Sequence, residues 1–299
     1  MQTLKKIDIH AHVVAFPQWV PLNPYGQRML SPEELIRKYD QLDIERGVLL
    51  PIVSPEGQTV PLSVEGCIDA AQKYPDRFSW FCNVDPRALN NAAANSDFSF
   101  LLEHYKKLGA RGVGEMTSNL YTDDPRMDNL FSRCEEAGLP VLFHISTGIG
   151  NWYGMVDELG LPRLEKMLKK HPKLRFIGHS QPFWSEMSAD NTDEIRNDYP
   201  KGKVTPGRLW ALMREYENLS CDLSAGSGAN ALMRDPENAV AFLTEFQDRI
   251  YYGCDICADT NKHPFYFREF IDGLCESGAI PETVYRKVCR DNAAKLLGV

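Results

Sequence analysis

Short apolar, β-branched runs recur along this chain, and each gives way to a stretch with apolar residues three and four positions apart. The first pattern reads as buried strand and the second as amphipathic helix. Strands are predicted at 6–13, 46–53, 78–84, 110–116, 139–146, 174–180, 218–224 and 250–256. The first helix opens at Ser31-Pro32-Glu33-Glu34, with an N-cap serine, proline at the first helical position and acids in the first turn. Further helices are predicted near 62–74, 97–108, 126–137, 158–170, 205–216, 236–247 and 264–277, and a last one at 281–297 led by Pro281-Glu282.

Strands alternating with helices predict a parallel sheet, because parallel strands need a crossover. Eight such units, with no linker-like stretch between them, predict an α/β fold of the (β/α)8 TIM-barrel type, a single domain over residues 1–299. A doubly wound open sheet would carry a glycine-rich loop after its first strand. Here His10-Ala11-His12-Val13-Val14 stands in that position. The connections after several strands are elaborated, whereas Leu108-Gly109 and Gly138-Leu139 on the other side are short. Residues 14–30 carry Phe16, Trp19, Pro21, Pro24 and Tyr25; residues 181–204 carry Phe183 and Trp184; 224–235 is rich in Gly, Ser and Asn. These loops all follow C-terminal strand ends, the face on which barrel enzymes build their sites.

Composition narrows the function classes. The chain has 299 residues, 43% hydrophobic and 25% charged, as in an ordinary globular protein. A net charge of -8 and no basic run argue against nucleic acid or an anionic membrane as partner. No apolar run approaches the roughly 20 residues that span a bilayer. The sequence enters its first strand at Ile7, which leaves no room for a cleavable signal peptide. With eight scattered cysteines, that predicts a cytoplasmic protein with reduced thiols. Cys254 and Cys257 form a C-x-x-C, but strand alternation points the two sulfurs to opposite faces.

The candidate chemistry lies at strand ends. In Asp8-Ile9-His10-Ala11-His12 the two imidazoles stand i, i+2 on a strand, on one face and about 7 Å apart along it, so they can converge on one ion. Glu115 ends the fourth strand, His144 lies near the end of the fifth, His179 ends the sixth and Asp255 the eighth. A charge or imidazole there is costly unless paired or coordinated. His104 and His171 fall on helices, where solvated roles suit them, while His263 follows the eighth strand and could line a pocket.

This set, Asp8-x-His10-x-His12, His144, His179 and Asp255, resembles the amidohydrolase superfamily, most closely its amidohydrolase-2 branch. The ending Asp291-Asn292-Ala293-Ala294-Lys295-Leu296-Leu297-Gly298 is similar to that branch's final helix. The resemblance implies metal ligation by His10, His12, His144 and Asp255, with His179 as a ligand, a catalytic base or a carbonyl-polarising group. It implies a supporting role for Asp8. The family's carboxylated lysine has no counterpart in 109–116; Glu115 stands at the comparable position, either as a ligand or as a pocket ion pair. Ser180-Gln181-Pro182-Phe183-Trp184 replaces the glycine-rich turn that follows the corresponding histidine in the decarboxylases.

The resulting expectation is a metal-dependent hydrolase of a small lactone, amide or ester. Zn²⁺ is the first candidate, with Mn²⁺ or Fe²⁺ also suited. Asp255 and His179 are the expected catalytic residues, and Trp19, Trp184 and Arg234 the expected substrate contacts. Non-oxidative decarboxylation of a small aromatic or unsaturated acid is the alternative, and a non-catalytic metal-binding barrel a remoter one. A homodimer is the default assembly.

Overall fold

The computed structural model describes residues 4–23, 26–57, 62–89 and 93–299. Pro24 and Tyr25, expected on the first long loop, lie outside the described residues. Eight parallel strands form the ring: β1 (Lys6–Ala11), β2 (Ile44–Leu49), β3 (Phe78–Trp80), β4 (Val113–Met116), β5 (Val141–Ser146), β7 (Phe176–His179), β8 (Leu219–Asp222) and β9 (Ile250–Tyr251). A two-residue strand, β6 (Met155–Val156), pairs with the end of β5 outside this ring. The strands are shorter than the apolar runs, because the runs continue into the loops beyond the last ladder bond.

Hydrogen bonding is continuous within β1–β2–β3 and within β4–β5–β7–β8–β9. The Cys82–Val113 bridge joins the two sets on one side. On the other, the Ile9 N–H donates to the Tyr252 carbonyl at 3.0 Å and the Asp255 N–H to the His10 carbonyl at 2.9 Å. The sheet therefore closes into the expected (β/α)8 barrel.

The outer ring holds α1 (Pro32–Leu42), α2 (Val64–Lys73), α3 (Ser99–Lys107), α4 (Pro125–Ala137), α5 (Pro162–Lys170), α7 (Arg208–Glu215), α9 (Pro236–Glu245) and α10 (His263–Glu276). Ser31 caps α1 in a full capping box with Glu34, and Leu35, Tyr39 and Leu42 form its buried face. Two helices stand where loops were expected: α6 (Gln181–Ser185) and α8 (Ala225–Met233). The predicted final helix is divided into α11 (Glu282–Arg286) and α12 (Asn292–Leu297) by a π-helical turn, Lys287–Asp291. The Val288 carbonyl in that turn accepts the Tyr252 N–H at 2.9 Å, tying the segment to the end of β9.

Ile7, Ile9, Val48, Leu50, Phe81, Leu142, Ile177 and Tyr251 fill the barrel interior together with Ala293, Ala294 and Leu297 of α12. The lumen is thus a packed core plugged at one end by the last helix. Among the described residues no helix is long and apolar enough to cross a membrane.

Candidate functional site

Strand β1 changes face as it approaches its C-terminal end. Ile7 and Ile9 point into the lumen. Lys6 and Asp8 point to the helices, where Lys6 pairs with Asp272 and Asp8 accepts the Tyr39 hydroxyl at 2.7 Å. Strict alternation would send His10 outward with Asp8. The register against β2 shifts between Asp8 and Ala11, and His10 turns inward. Asp8 clamps this irregularity by accepting the N–H groups of His10 (3.0 Å) and Cys254 (2.8 Å). Burial pushes its carboxyl up to about 7, against the lowering effect of these donors.

Beyond the shift, four donor atoms converge. His10 Nε2 lies 2.9 Å from His12 Nε2. Glu115 Oε2 is 3.5 Å from the first and 3.3 Å from the second. Asp255 Oδ1 is 3.7 and 3.6 Å from the same two atoms. The other Glu115 oxygen is 2.9 Å from His144 Nδ1. His179 packs against both His10 and His144, with ring centroids 4.5 and 5.4 Å apart. Glu115 reaches the site from β4 through a second register shift, at Gly114, whose φ is +145°. A Cβ there would meet the Leu142 carbonyl oxygen at 2.5 Å, so only glycine fits.

Two hydrogen bonds fix the imidazoles. His10 Nδ1 donates to Asp222 Oδ2 at 2.6 Å, and His12 Nδ1 donates to the Leu50 carbonyl at 2.9 Å. Both Nε2 lone pairs consequently face each other. Something positive must lie between them: a proton, or a cation shared by both rings. Burial would strip a proton from His10, but the carboxylates of Asp222, Asp255 and Glu115 outweigh it and raise the imidazole well above its ordinary value. Burial likewise opposes ionisation of Glu115 and Asp222, yet the adjoining imidazoles hold both well below the usual carboxylate range. His144, with burial dominant, is lowered. The donor atoms of His10, His12 and Glu115 lie within 4.8 Å of one another, as do those of His10, His179 and Asp255 and those of Glu115, His144 and His179. Such imidazole and carboxylate groupings fit a divalent cation, whose N and O ligands stand at about 2.0–2.2 Å.

Asp222 is the residue that the sequence reading missed. Besides His10 it lies 3.3 Å from His179 Nδ1, and its Oδ2 accepts the Ser224 hydroxyl at 2.7 Å. Ser224 in turn lies 2.9 Å from His179 Nδ1, leaving Nε2 of that ring toward the cluster. Gly253 makes room for this carboxylate, since a Cβ there would lie 2.3 Å from Asp222 Oδ1. The available signal was the one used elsewhere, an acid ending an apolar strand.

The expected substrate contacts lie elsewhere. Trp19 is 75% exposed and stacks on Phe16, away from the cluster. Trp184 is buried among Phe183 and Phe242, and its indole N–H donates to the Asp222 carbonyl at 3.0 Å. Arg234 is spent on the carbonyls of Gly202 and Lys201, clipping the loop before α7. A cavity of about 440 Å³ opens beside the cluster instead, walled by Met29, Ile52, Leu62 and Trp152. His263 donates to or accepts at no cluster atom; its Nε2–H donates to the Cys254 carbonyl at 2.6 Å, at the edge of a second cavity. His171 is buried, not solvated, and pairs with Asp128 at 2.9 Å. All eight cysteines are free, and Cys254 is buried while Cys257 lines the cavity.

The amidohydrolase family model, Amidohydro_2, matches residues 7–299. The chain belongs to the amidohydrolase family. Among solved structures, this amidohydrolase is similar to 5-carboxyvanillate decarboxylase from Sphingomonas paucimobilis, at 17% identity over 99% of this chain and 100% of that one, with a TM-score of 0.63. It is similar to a probable 2-pyrone-4,6-dicarboxylic acid hydrolase from Acinetobacter baumannii, at 15% identity over 99% and 100%, TM-score 0.59. A dihydroxybenzoic acid decarboxylase from a Polaromonas species, with bound manganese, matches at 16% identity over 99% and 97%, TM-score 0.60. No curated protein sequence matches the chain.

Proposed function

We propose that this amidohydrolase is a metal-dependent hydrolase of a small lactone, ester or amide. The observation that carries the reading is the convergence of His10 Nε2, His12 Nε2, Glu115 Oε2 and Asp255 Oδ1 at the wall of a cavity. His10, His12, Asp255 and Glu115 would hold the cation, with His144 anchoring Glu115 or joining the set. Zn²⁺ suits these donors first; Mn²⁺, present in one similar structure, and Fe²⁺ suit them too. When bound, the cation polarises the substrate carbonyl and lowers the pKa of an attacking water toward about 7.

The chain's own groups then move the protons. Asp255 is the most exposed of the donors, with 24% of its side chain accessible, so it can meet both water and substrate. It accepts the proton of the attacking water and returns it to the leaving group. His179, whose Nδ1–H donates to Ser224 and Asp222, turns Nε2 to the substrate; with both ring nitrogens protonated, its Nε2–H would stabilise the oxyanion that develops on the carbonyl. Free, largely buried thiols fit a reducing, cytoplasmic setting. Similarity to two decarboxylases supports a second reading, in which the same donors bind an acid and His179 or Asp255 protonates the carbon as CO2 leaves.

Panels of lactones, esters, amides and aromatic acids, followed by proton release and CO2 release, separate the two reactions. Asp255→Asn is expected to retain metal better than His10→Ala, by elemental analysis, while losing turnover. Equal metal loss in both variants would contradict a proton role for Asp255 separable from ligation.

A further inference from the structure

Two cavities meet at the donor cluster, sharing Asn23, His144, Tyr153, Asp255 and Cys257, and the rest of their walls differ in chemistry. The first is mainly apolar away from the cluster: Met29 and Leu62 pack with Val14 beside Ile52, and Trp152 stands half-exposed at its rim. The second, about 900 Å³, is mixed: Ala225, Met233 and Tyr266 stand beside a larger share of polar groups than in the first, among them Gln181, Tyr199, Asn230 and Lys262. A scissile carbonyl at the cluster would therefore send one arm into an apolar compartment and the other into a mixed, more polar one.

Charge sharpens the contrast. Besides Glu115 and Asp255, the ionisable carboxylate on the first cavity is Glu56. Arg87 holds Glu56 at 2.6 and 2.8 Å and Asp85 at 2.8 and 2.7 Å, so its positive charge is shared between these two carboxylates. Among the described residues no lysine or arginine lines this cavity. The sequence at 24–25 and 58–61 contains none either. A carboxylate entering here would lose its hydration, face a Glu56 already paired with Arg87 and, beyond the cation at the cluster, find no lysine or arginine to pair with. An uncharged hydrocarbon body suits both the wall and the field, in a volume typical of small-ligand sites, about 300–1,000 Å³.

We propose that the first cavity is an acyl compartment for an uncharged apolar chain or ring, and that this enzyme selects against substrates whose acyl part carries a second carboxylate. The larger, mixed cavity takes the leaving-group end. This deepens the hydrolase reading and rests on it for the word acyl, but the compartment's chemistry can be measured by binding alone.

Three hydroxamic acids with the same metal-chelating head make the probe series: acetohydroxamic acid, octanohydroxamic acid and suberic acid monohydroxamate. Calorimetry on the metal-loaded protein is expected to find octanohydroxamate bound at least tenfold tighter than either of the others. Ile52→Lys, placing a cation on the half-buried part of the wall, is expected to narrow or reverse the preference between the two eight-carbon probes. Equal affinity for those two, a preference for the carboxylated one, or no gain over acetohydroxamate would overturn the proposal; the wild-type order decides this even if Ile52→Lys does not fold. The expected order supports the compartment even where every lactone, ester and amide fails to turn over, an outcome that would sink the hydrolase reading.

Discussion

His10 shows how much of a metal centre depends on what stands behind the donor. Its Nε2 faces the cluster because Nδ1 gives its proton to Asp222, buried at the end of β8 with Trp184 bonded to its carbonyl. The first-strand histidines and the later His144, Glu115 and Asp255 were legible as polar residues closing apolar strands. Asp222 carried the same signal in Leu219-Ser220-Cys221-Asp222, yet its partner is another strand's imidazole, and no local spacing records that contact. Trp184 misled in the opposite sense, since aromatic loop content suggested a pocket wall and the indole became core. Removing the orienting charge with Asp222→Asn should weaken metal binding by about 10–100-fold, read by titration against a competing chelator. An unchanged affinity would show that His10 needs no carboxylate to aim it.

At the scale of elements, the period of the apolar pattern located the eight strands and nine of the helical stretches, because those faces pack against one another. Helices α6 and α8 escaped it. Ala225-Gly226-Ser227-Gly228 has poor helix propensity, and α8 is held by packing against α6, α9 and α10. The shift in β1 was equally hidden, since alternation cannot reveal where a strand changes face. Charge pairs tie the outer helices to each other: on α1, Glu33 accepts from Lys73 Nζ at 2.7 Å and from the Tyr74 hydroxyl at 2.6 Å at the end of α2. These partners, Lys73 first, lower the Glu33 carboxyl to about 2 from an ordinary 4.5. A depressed folded value contributes stability that is present above pH 4.5 and lost as pH falls toward 2. Because Glu33 and Lys73 are both substantially exposed, Glu33→Gln should cost no more than about 1 kcal/mol at pH 7. Thermal melts of the two proteins should approach each other as pH is lowered through that window; a constant gap would assign the loss to something other than the charge.

For the molecule as a whole, the alternating pattern made the barrel readable, while the plug in its lumen was not. The small residues Ala293 and Ala294 and the fully buried Leu297 read as one face of an ordinary last helix, but that face seals the interior against Ile7, Ile9 and Leu142. Leu297→Ala should therefore behave as a core truncation, destabilising by about 2–5 kcal/mol in denaturant titration, with metal affinity at the far end of the ring little changed. A loss below about 0.5 kcal/mol would mean that the helix only rests on the barrel. The closing seam between β9 and β1 has a further consequence, for time rather than for energy. It joins residues 246 apart in sequence at the Cys254–Asp8 bond, and the same seam brings His10 and His12 to Asp255. Such distant partners pay their loop-closure entropy late in folding. A chain that has assembled seven strands holds only part of the donor set, so the first tightly held cation marks the moment at which the ring is complete.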